Sequence, residues 1–400
     1  MILQEGFAMN ALPTTAPGAG LHGRPGLQTV DTPCLILDES RMQRNIARLR
    51  DRLTAAGVGF SPHLKTAKSL EVAKRLITSP HGPATVSTLR EAEVFAAGGL
   101  TELTYAVGIS PDKLGRVQAL RQRGVALTIL LDSLEQAVAV AAASDPAYPI
   151  RVLIELDCDG HRSGVKPGDT ARLVAIARAL APTAELRGVL THAGESYEAR
   201  GAVALEAAAE NERASAVMAA QGLRSQGYAC PVVSIGSTPT AHFARSYAGV
   251  SEVRAGAFVF FDLVQAGLGV CDLDDIALSV LTTVIGHQPD KAWTIIDAGW
   301  TALSSDRGTA SQAVDHGYGL VCDLAGRPIP GLRVVLANQE HGIVARSTDI
   351  SGPGPELPIG TRLRILPNHA CATAGQHDRY QVIGAGGNEL TAEWPRFSGW

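Results

Sequence analysis

From residue 32 onward the chain repeats one pattern: a short run of Val, Ile and Leu, a polar break, then a stretch with apolar residues at helical spacing. The runs predicted as strands are 32–38, 58–64, 84–87, 103–107, 125–131, 150–156, 186–190, 232–235 and 252–260. Helix start signals recur between them. Ser40 with Gln43, Thr88 with Glu91 and Ser133 with Gln136 have capping-box spacing, in which two side chains satisfy backbone N–H groups that the first helical turn leaves unpaired. Ser110 precedes a proline at a first helical position, Asp169 caps a helix through Leu180, and 205–225 is rich in the strong helix formers Ala, Glu and Arg. The alternation occurs eight times. Strands that are short and apolar on both faces fit a parallel sheet covered on both sides. The expectation is an α/β fold, a (βα)8 TIM-type barrel. No Gly-x-Gly-x-x-Gly opens a first helix, which argues against a doubly wound sheet.

After about Cys271 the rhythm changes. Strands are predicted at 276–287, 293–297, 331–337, 341–347 and 361–366, divided by Gly, Pro and Asp turns and without helical periodicity. The expected organisation is a tail over 1–30, a barrel over 31–270 and an all-β domain over 271–400, with the strand at 32–38 belonging either to the barrel or to the β domain. A length of 400 residues suits a barrel of about 250 residues with a smaller partner domain. The tail has no basic segment followed by an apolar core, so it does not read as a secretory signal.

Charge and cysteines narrow the function. A net charge of -4 gives no electrostatic case for nucleic acid or an anionic membrane. No run approaches the ~20 apolar residues of a membrane span. Six cysteines without framework spacing read as reduced thiols in a cytoplasmic protein.

Barrel active sites lie at the carboxyl ends of the strands, so those ends are where chemistry is sought. The strand at 58–64 delivers Lys65, an amine placed to form a Schiff base with a carbonyl cofactor. Later strand ends bring Arg162, His192, Tyr197 and Arg254 to the same rim. Gly236-Ser237-Thr238 supplies N–H groups and hydroxyls ahead of a helix, the donors a phosphate needs, and Gly256 allows backbone to approach it. His192 suits stacking on a pyridine ring, Tyr197 could donate to the phosphate, and Arg162 and Arg254 could face the ring oxygen or nitrogen. Singly, each has a plainer reading as a turn, a packed aromatic or an ion pair; grouped on one rim they support one another. In the β domain, His369 and Cys371 stand two apart on a chain read as extended, so both face one side. An imidazole and a thiolate suit a borderline-soft ion, and two ligands leave positions open for water or substrate.

Together Pro62-His63-Leu64-Lys65-Thr66, Gly160-His161-Arg162-Ser163-Gly164, Thr191-His192-Ala193-Gly194, Gly236-Ser237-Thr238-Pro239-Thr240 and Pro367-Asn368-His369-Ala370-Cys371 resemble the fold-type III pyridoxal phosphate enzymes. More narrowly, the chain resembles the D-serine dehydratase and D-threonine aldolase family, including its bacterial 3-hydroxyaspartate dehydratases. The likeness spans 32–400; Asp297-Ala298-Gly299-Trp300 and 338–342 add to it. It implies an alanine racemase-like barrel with Lys65 holding pyridoxal 5'-phosphate and acting as base. It also implies His192 against the ring, Gly236, Ser237, Thr238 and Gly256 on the phosphate, and a divalent metal (Zn, Mn or Mg) on His369 and Cys371. The implied reaction is loss of the β-hydroxyl from a small D-3-hydroxy amino acid, D-threo-3-hydroxyaspartate giving oxaloacetate and ammonia and D-serine giving pyruvate, by a homodimer. The alternative is retro-aldol cleavage, for which family members usually carry an aspartate where this chain has Cys371. Arg307, His316 and His341 are candidates for binding a second substrate carboxylate.

Overall fold

A computed structural model describes residues 26–181, 183–346, 355–385 and 387–400. Most of the tail expected over 1–30, and the last residue of the strand expected at 341–347, lie outside the described residues. Eight parallel strands form one sheet: β2 (Gly59–Phe60), β3 (Ala84–Val86), β4 (Glu102–Gly108), β5 (Ala126–Leu131), β6 (Arg151–Leu156), β7 (Glu185–Thr191), β8 (Val232–Ile235) and β9 (Glu252–Val253). Its order is β2-β9-β8-β7-β6-β5-β4-β3, and a parallel bridge between His63 and Thr85 links its two ends. Leu130, Leu153 and Leu190 pack together on one face, while Ile129, Leu131, Val152, Ile154 and Val189 face the helices in the main core. That two-sided burial explains the unbroken apolar runs.

The helices that matter for the site begin as their side chains dictate. Helix α1 (Glu39–Ala55) is capped by Asp38, whose carboxylate accepts from Arg41 N, and not by Ser40. Thr88 caps α2 (Leu89–Ala97), and Ser133 with Gln136 completes a capping box on α3 (Leu134–Ala143). Asp169 caps α4 (Thr170–Leu180), and the long α5 spans Gly201–Ser225.

Two predicted strands are shortened for physical reasons. Pro62 has no N–H, so the regular ladder of β2 stops early; the segment stays pinned by His63 N to Ala255 O at 2.8 Å and Leu64 N to Thr85 O at 2.8 Å. The run predicted at 252–260 leaves the sheet after β9. Phe258 and Phe260 are buried, packing edge-on against Phe60 and tilted against Tyr380 respectively, so this apolar segment fills the junction between the two sheets.

The second sheet has nine strands among the described residues, and one interior member precedes the parallel sheet in sequence: β1 (Cys34–Asp38) lies between β10 (Leu278–Gln288) and β16 (Arg379–Ile383). The β1–β16 pair is parallel and the other pairings are antiparallel. The remaining strands are β11 (Trp293–Ile296), β12 (Leu320–Cys322), β13 (Pro328–Ala337), β14 (Gly342–Arg346), β15 (Arg362–Leu366) and β17 (Leu390–Pro395). Sequence patterning missed β12, β16 and β17. It also missed a short helix at Ala370–Ala374, inside the stretch read as extended. Among the described residues no helix is long and apolar enough to cross a membrane.

Candidate active site

The carboxyl ends of the parallel strands open on a cavity of ≈ 410 Å³. Lys65 stands in the turn after β2 with its side chain in that cavity, and among the described residues nothing hydrogen-bonds its Nζ. Its turn is built by neighbours. Thr66 is fully buried, and His63 sits beneath with Nε2 3.4 Å from Ser87 Oγ. Gly256 packs against this turn, since a Cβ there would lie 3.1 Å from His63 O and Thr66 Oγ1. That is a different reason for the glycine than approach to a phosphate.

Opposite Lys65, His192 ends β7 and its Nδ1 is 2.9 Å from Gly236 O, so Nδ1–H donates to that carbonyl. Burial and the positive charges of Lys65, Arg162 and Arg254 push its pKa down to about 3, against the pull of the Gly236 bond, and the ring is neutral. Tyr197 lies near it, ring centroids 6.3 Å apart, with its phenol pushed upward by burial. Ser237 caps the short helix α6 (Thr238–Phe243), closing a capping box with Thr240 and meeting Ser196 Oγ at 2.9 Å. The N–H of Thr238 opens α6 and that of Ala257 opens a 3-10 turn, positions with no partner inside their own turns. Both residues line the cavity beside Gly236. Gly236 itself is required by packing: with φ +137, a Cβ would fall 2.0 Å from Arg254 O.

The two arginines differ. Arg162 is exposed on the loop after β6, whereas Arg254 is buried, its Nε donating to Ser234 Oγ at 2.8 Å and its NH2 to Thr191 O. Both line the cavity. A residue not anticipated from sequence supports this side. Glu212, fully buried on α5, accepts from Ala193 N at 2.9 Å, Gly236 N at 2.9 Å and Thr240 Oγ1 at 2.7 Å. Burial raises its pKa despite these donors. The sequence reads 205–225 as a strong helix former, and nothing local marks Glu212 as buried.

The cavity also reaches the β domain, where His369 and Cys371 line it. They do not alternate on an extended strand. His369 is extended and caps the helix at Ala370–Ala374, and Cys371 lies in its first turn. The imidazole still meets the thiol. Asp306 Oδ2 accepts from His369 Nδ1 at 2.9 Å, and Thr66 Oγ1 lies 3.1 Å from Cys371 Sγ. Burial opposes the imidazolium, but the bonds to Asp306 and Cys371 outweigh it and raise His369 to about 11. Burial likewise opposes the thiolate, yet His369 and Lys65 lower the pKa of Cys371. Asn368, buried next to them, donates to Gly317 O and Asp306 O and accepts from Thr309, fixing the loop that presents Asp306. Asp306 was not singled out from sequence, being 63 positions from its partner. Among the described residues no third His, Cys, Asp or Glu completes a metal cluster. Of the residues considered for a second substrate carboxylate, Arg307 is paired with Asp315 at 2.7 Å, and neither it nor His316 or His341 lines the cavity.

The donor set fits both groups that the family resemblance implies. Pyridoxal phosphate needs an amine, a flat neutral wall and N–H and hydroxyl donors for its phosphate, and Lys65, His192 and the Ser237–Thr238 and Gly256–Ala257 turns present these to the cavity. A divalent ion needs imidazole and thiolate with the histidine held by a carboxylate on its other nitrogen, which Asp306 supplies.

Residues 37–264 match the family described as alanine racemase, N-terminal domain, and 277–383 match the serine dehydratase domain. The chain is 53% identical to a D-threo-3-hydroxyaspartate dehydratase of Delftia sp. (strain HT23), over 94% of this chain and 99% of that protein. It is 28% identical to a 3-hydroxy-D-aspartate aldolase of Paracoccus denitrificans (strain Pd 1222), over 94% and 95%. The solved structure of the Delftia dehydratase superposes with a TM-score of 0.90 at 52% identity, covering 94% of this chain and 100% of that one. A cysteine-to-alanine variant of a D-threo-3-hydroxyaspartate dehydratase, in the metal-free form, superposes at 0.91, with 52% identity and the same coverage. The chain belongs to the D-serine dehydratase and D-threonine aldolase family of fold-type III pyridoxal phosphate enzymes.

Proposed function

We propose that this protein is a pyridoxal phosphate- and metal-dependent dehydratase acting on D-3-hydroxy amino acids, with D-threo-3-hydroxyaspartate as main substrate and D-serine as a second. The observation that carries this reading is that Lys65, whose amine has no hydrogen-bond partner among the described residues, and the His369–Cys371 pair open on one cavity. The 53% identity to a dehydratase of that substrate supports it.

The roles follow from the positions. Lys65 Nζ would hold the cofactor and, once displaced by the substrate amine, take the proton from Cα. When bound, the cofactor supplies an electron sink for the charge left at that carbon. Neutral His192 would lie against the ring, and its bond to Gly236 fixes which nitrogen carries the proton. Thr238, Ser237, Gly236 and the turn at Gly256 would hold the phosphate, with Tyr197 as a further donor. Arg254 has its Nε and one NH2 committed inside the sheet, so exposed Arg162 is the freer cation for the ring oxygen. A divalent ion (Zn, Mn or Mg) on His369 and Cys371 would supply Lewis-acid stabilisation to the departing hydroxyl. Asp306 keeps that imidazole oriented. Loss of the Cα proton and the β-hydroxyl leaves an enamine; adding water gives oxaloacetate and ammonia.

Retro-aldol cleavage is the second reading, favoured by the 28% identity to a 3-hydroxy-D-aspartate aldolase. Products separate the two. Dehydration of D-threo-3-hydroxyaspartate yields ammonia and oxaloacetate, whereas cleavage of Cα–Cβ yields glycine and glyoxylate. We expect ammonia in step with oxaloacetate, lost on treatment with chelator and restored by divalent metal. Glyoxylate as the main product would refute dehydration.

We also read the eight-stranded sheet as a closed (βα)8 barrel, a reading supported by the bridge between His63 and Thr85. The domain limits proposed are 31–270 and 271–400, with β1 contributed to the second sheet. A cytoplasmic homodimer without nucleic-acid partners completes the proposal; the net charge of -4 is consistent with it.

A further inference from the structure

A second cavity, ≈ 500 Å³, adjoins the first on the β3–β4 side. Lys65, Ser87, Val107 and Cys371 line both, so the two spaces meet at the amine and the thiol. Its walls carry three further cations, Lys68, Lys113 and Arg116, against the Glu91 carboxylate and Trp400, whose main-chain oxygen accepts from Arg116 at 3.4 Å. Lys68 is committed to Glu91 at 3.3 Å and Arg116 to Glu93 at 2.9 Å. Lys113 is half-buried, and among the described residues it forms no ion pair. It sits on the 3-10 turn Pro111–Lys113 that leads from β4 into the helix at Leu114–Gln122, an element fixed in place by its own backbone.

We propose that Lys113 is a specificity-determining residue that binds the second carboxylate of a dicarboxylic substrate, with Arg116 as its neighbour in the same cavity. The inference rests on the dehydratase reading given above and names the residue that reads its substrate. An amino acid whose amine takes the place of Lys65 would bring its Cα close to Lys65 Nζ, where the two cavities meet. A carboxylate on Cβ would then face the adjoining cavity, which Lys113 lines together with Cys371 and where Lys113 forms no ion pair among the described residues. D-Serine has no group to place there. Of the three sequence-based candidates, Arg307 is paired with Asp315, and neither it nor His316 or His341 lines either cavity.

The test measures binding apart from turnover. The holoenzyme and its Lys113→Gln and Lys113→Arg variants are titrated calorimetrically with D-aspartate and with D-alanine, which lack the hydroxyl and differ by one carboxylate. Lys113→Gln is expected to weaken D-aspartate on the order of tenfold, the weight of one charge-assisted hydrogen bond, and to leave D-alanine unchanged. Lys113→Arg is expected to keep most of the D-aspartate affinity. In turnover, KM for D-threo-3-hydroxyaspartate rises by a similar factor in Lys113→Gln while kcat and both D-serine constants hold. Equal change for both ligands, or no change for either, overturns the inference. Selective D-aspartate binding through Lys113 in a protein that releases no ammonia from 3-hydroxyaspartate would support the site and refute the dehydratase reading.

Discussion

Asp306 acts on the His369–Cys371 pair through one hydrogen bond, holding Nδ1 and leaving the rest of the imidazole for Cys371 and the cavity. If that pair binds a metal, Asp306→Ala lets the ring rotate and lowers its basicity. The expected outcome is a roughly 10- to 100-fold loss of divalent-metal affinity with a folded protein, read by metal content after dialysis against graded chelator. Unchanged metal retention would mean that His369 is oriented by its helix-capping backbone alone. His369 and Cys371 were legible in sequence through the family resemblance of their motif, although the extended geometry expected from their spacing is replaced by a helix start. Asp306 was not, because its loop is brought there by long-range bonds such as those joining Asn368 to Gly317 and Thr309 and Gln312 to Val264.

At the scale of elements, α5 does more than cover the sheet. Glu212 joins the end of β7, the end of β8 and the first turn of α6, the three pieces that shape one side of the cavity. In Glu212→Leu the two backbone N–H groups lose their acceptor inside the core, at about 1–3 kcal/mol for each. A lower denaturation midpoint and weaker retention of pyridoxal phosphate are expected. Glu212→Gln keeps an acceptor oxygen for the two N–H groups and is expected to lose far less; equal losses in both variants would point to the negative charge instead. The helix at Ala370–Ala374 carries a related lesson. Its five residues give no periodic signal, and Asp262 stabilises it from outside by accepting from Ala370 N at 2.9 Å.

Across the whole molecule, burial of neutral histidines is one source of acid sensitivity. His242 on α6 donates from Nδ1 to Thr238 O at 2.8 Å and packs edge-on against Phe261. Burial, with Arg48 and Arg52 nearby, pushes its pKa down to about 4. Below pH 6.5 the unfolded chain takes up a proton that folded His242 refuses until about pH 4, so stability falls as pH drops through that window. The full loss for this one group is roughly 3 kcal/mol. Denaturation midpoints at pH 7 and pH 4.5 are expected to differ less in His242→Phe than in the parent, and an unaltered difference would place the acid sensitivity in other groups.

What the sequence by itself determined is the layout: eight apolar runs alternating with helices, then a β-rich region, and a set of polar residues at strand ends. Those features depend on period, capping chemistry and backbone restrictions within a few residues, and so they are visible locally. Lys65, His192, Gly236, Ser237, Thr238, Arg254 and Gly256 follow from that layout once strand ends are known. Tertiary structure alone decided which sheet receives β1, why Gly236 cannot carry a side chain and Gly256 has little room for one, and how Asp306 reaches the cavity, Glu212 braces its wall and Lys113 lines the adjoining space. Each of those depends on contacts between segments far apart in the chain, and no local pattern encodes the distance between them.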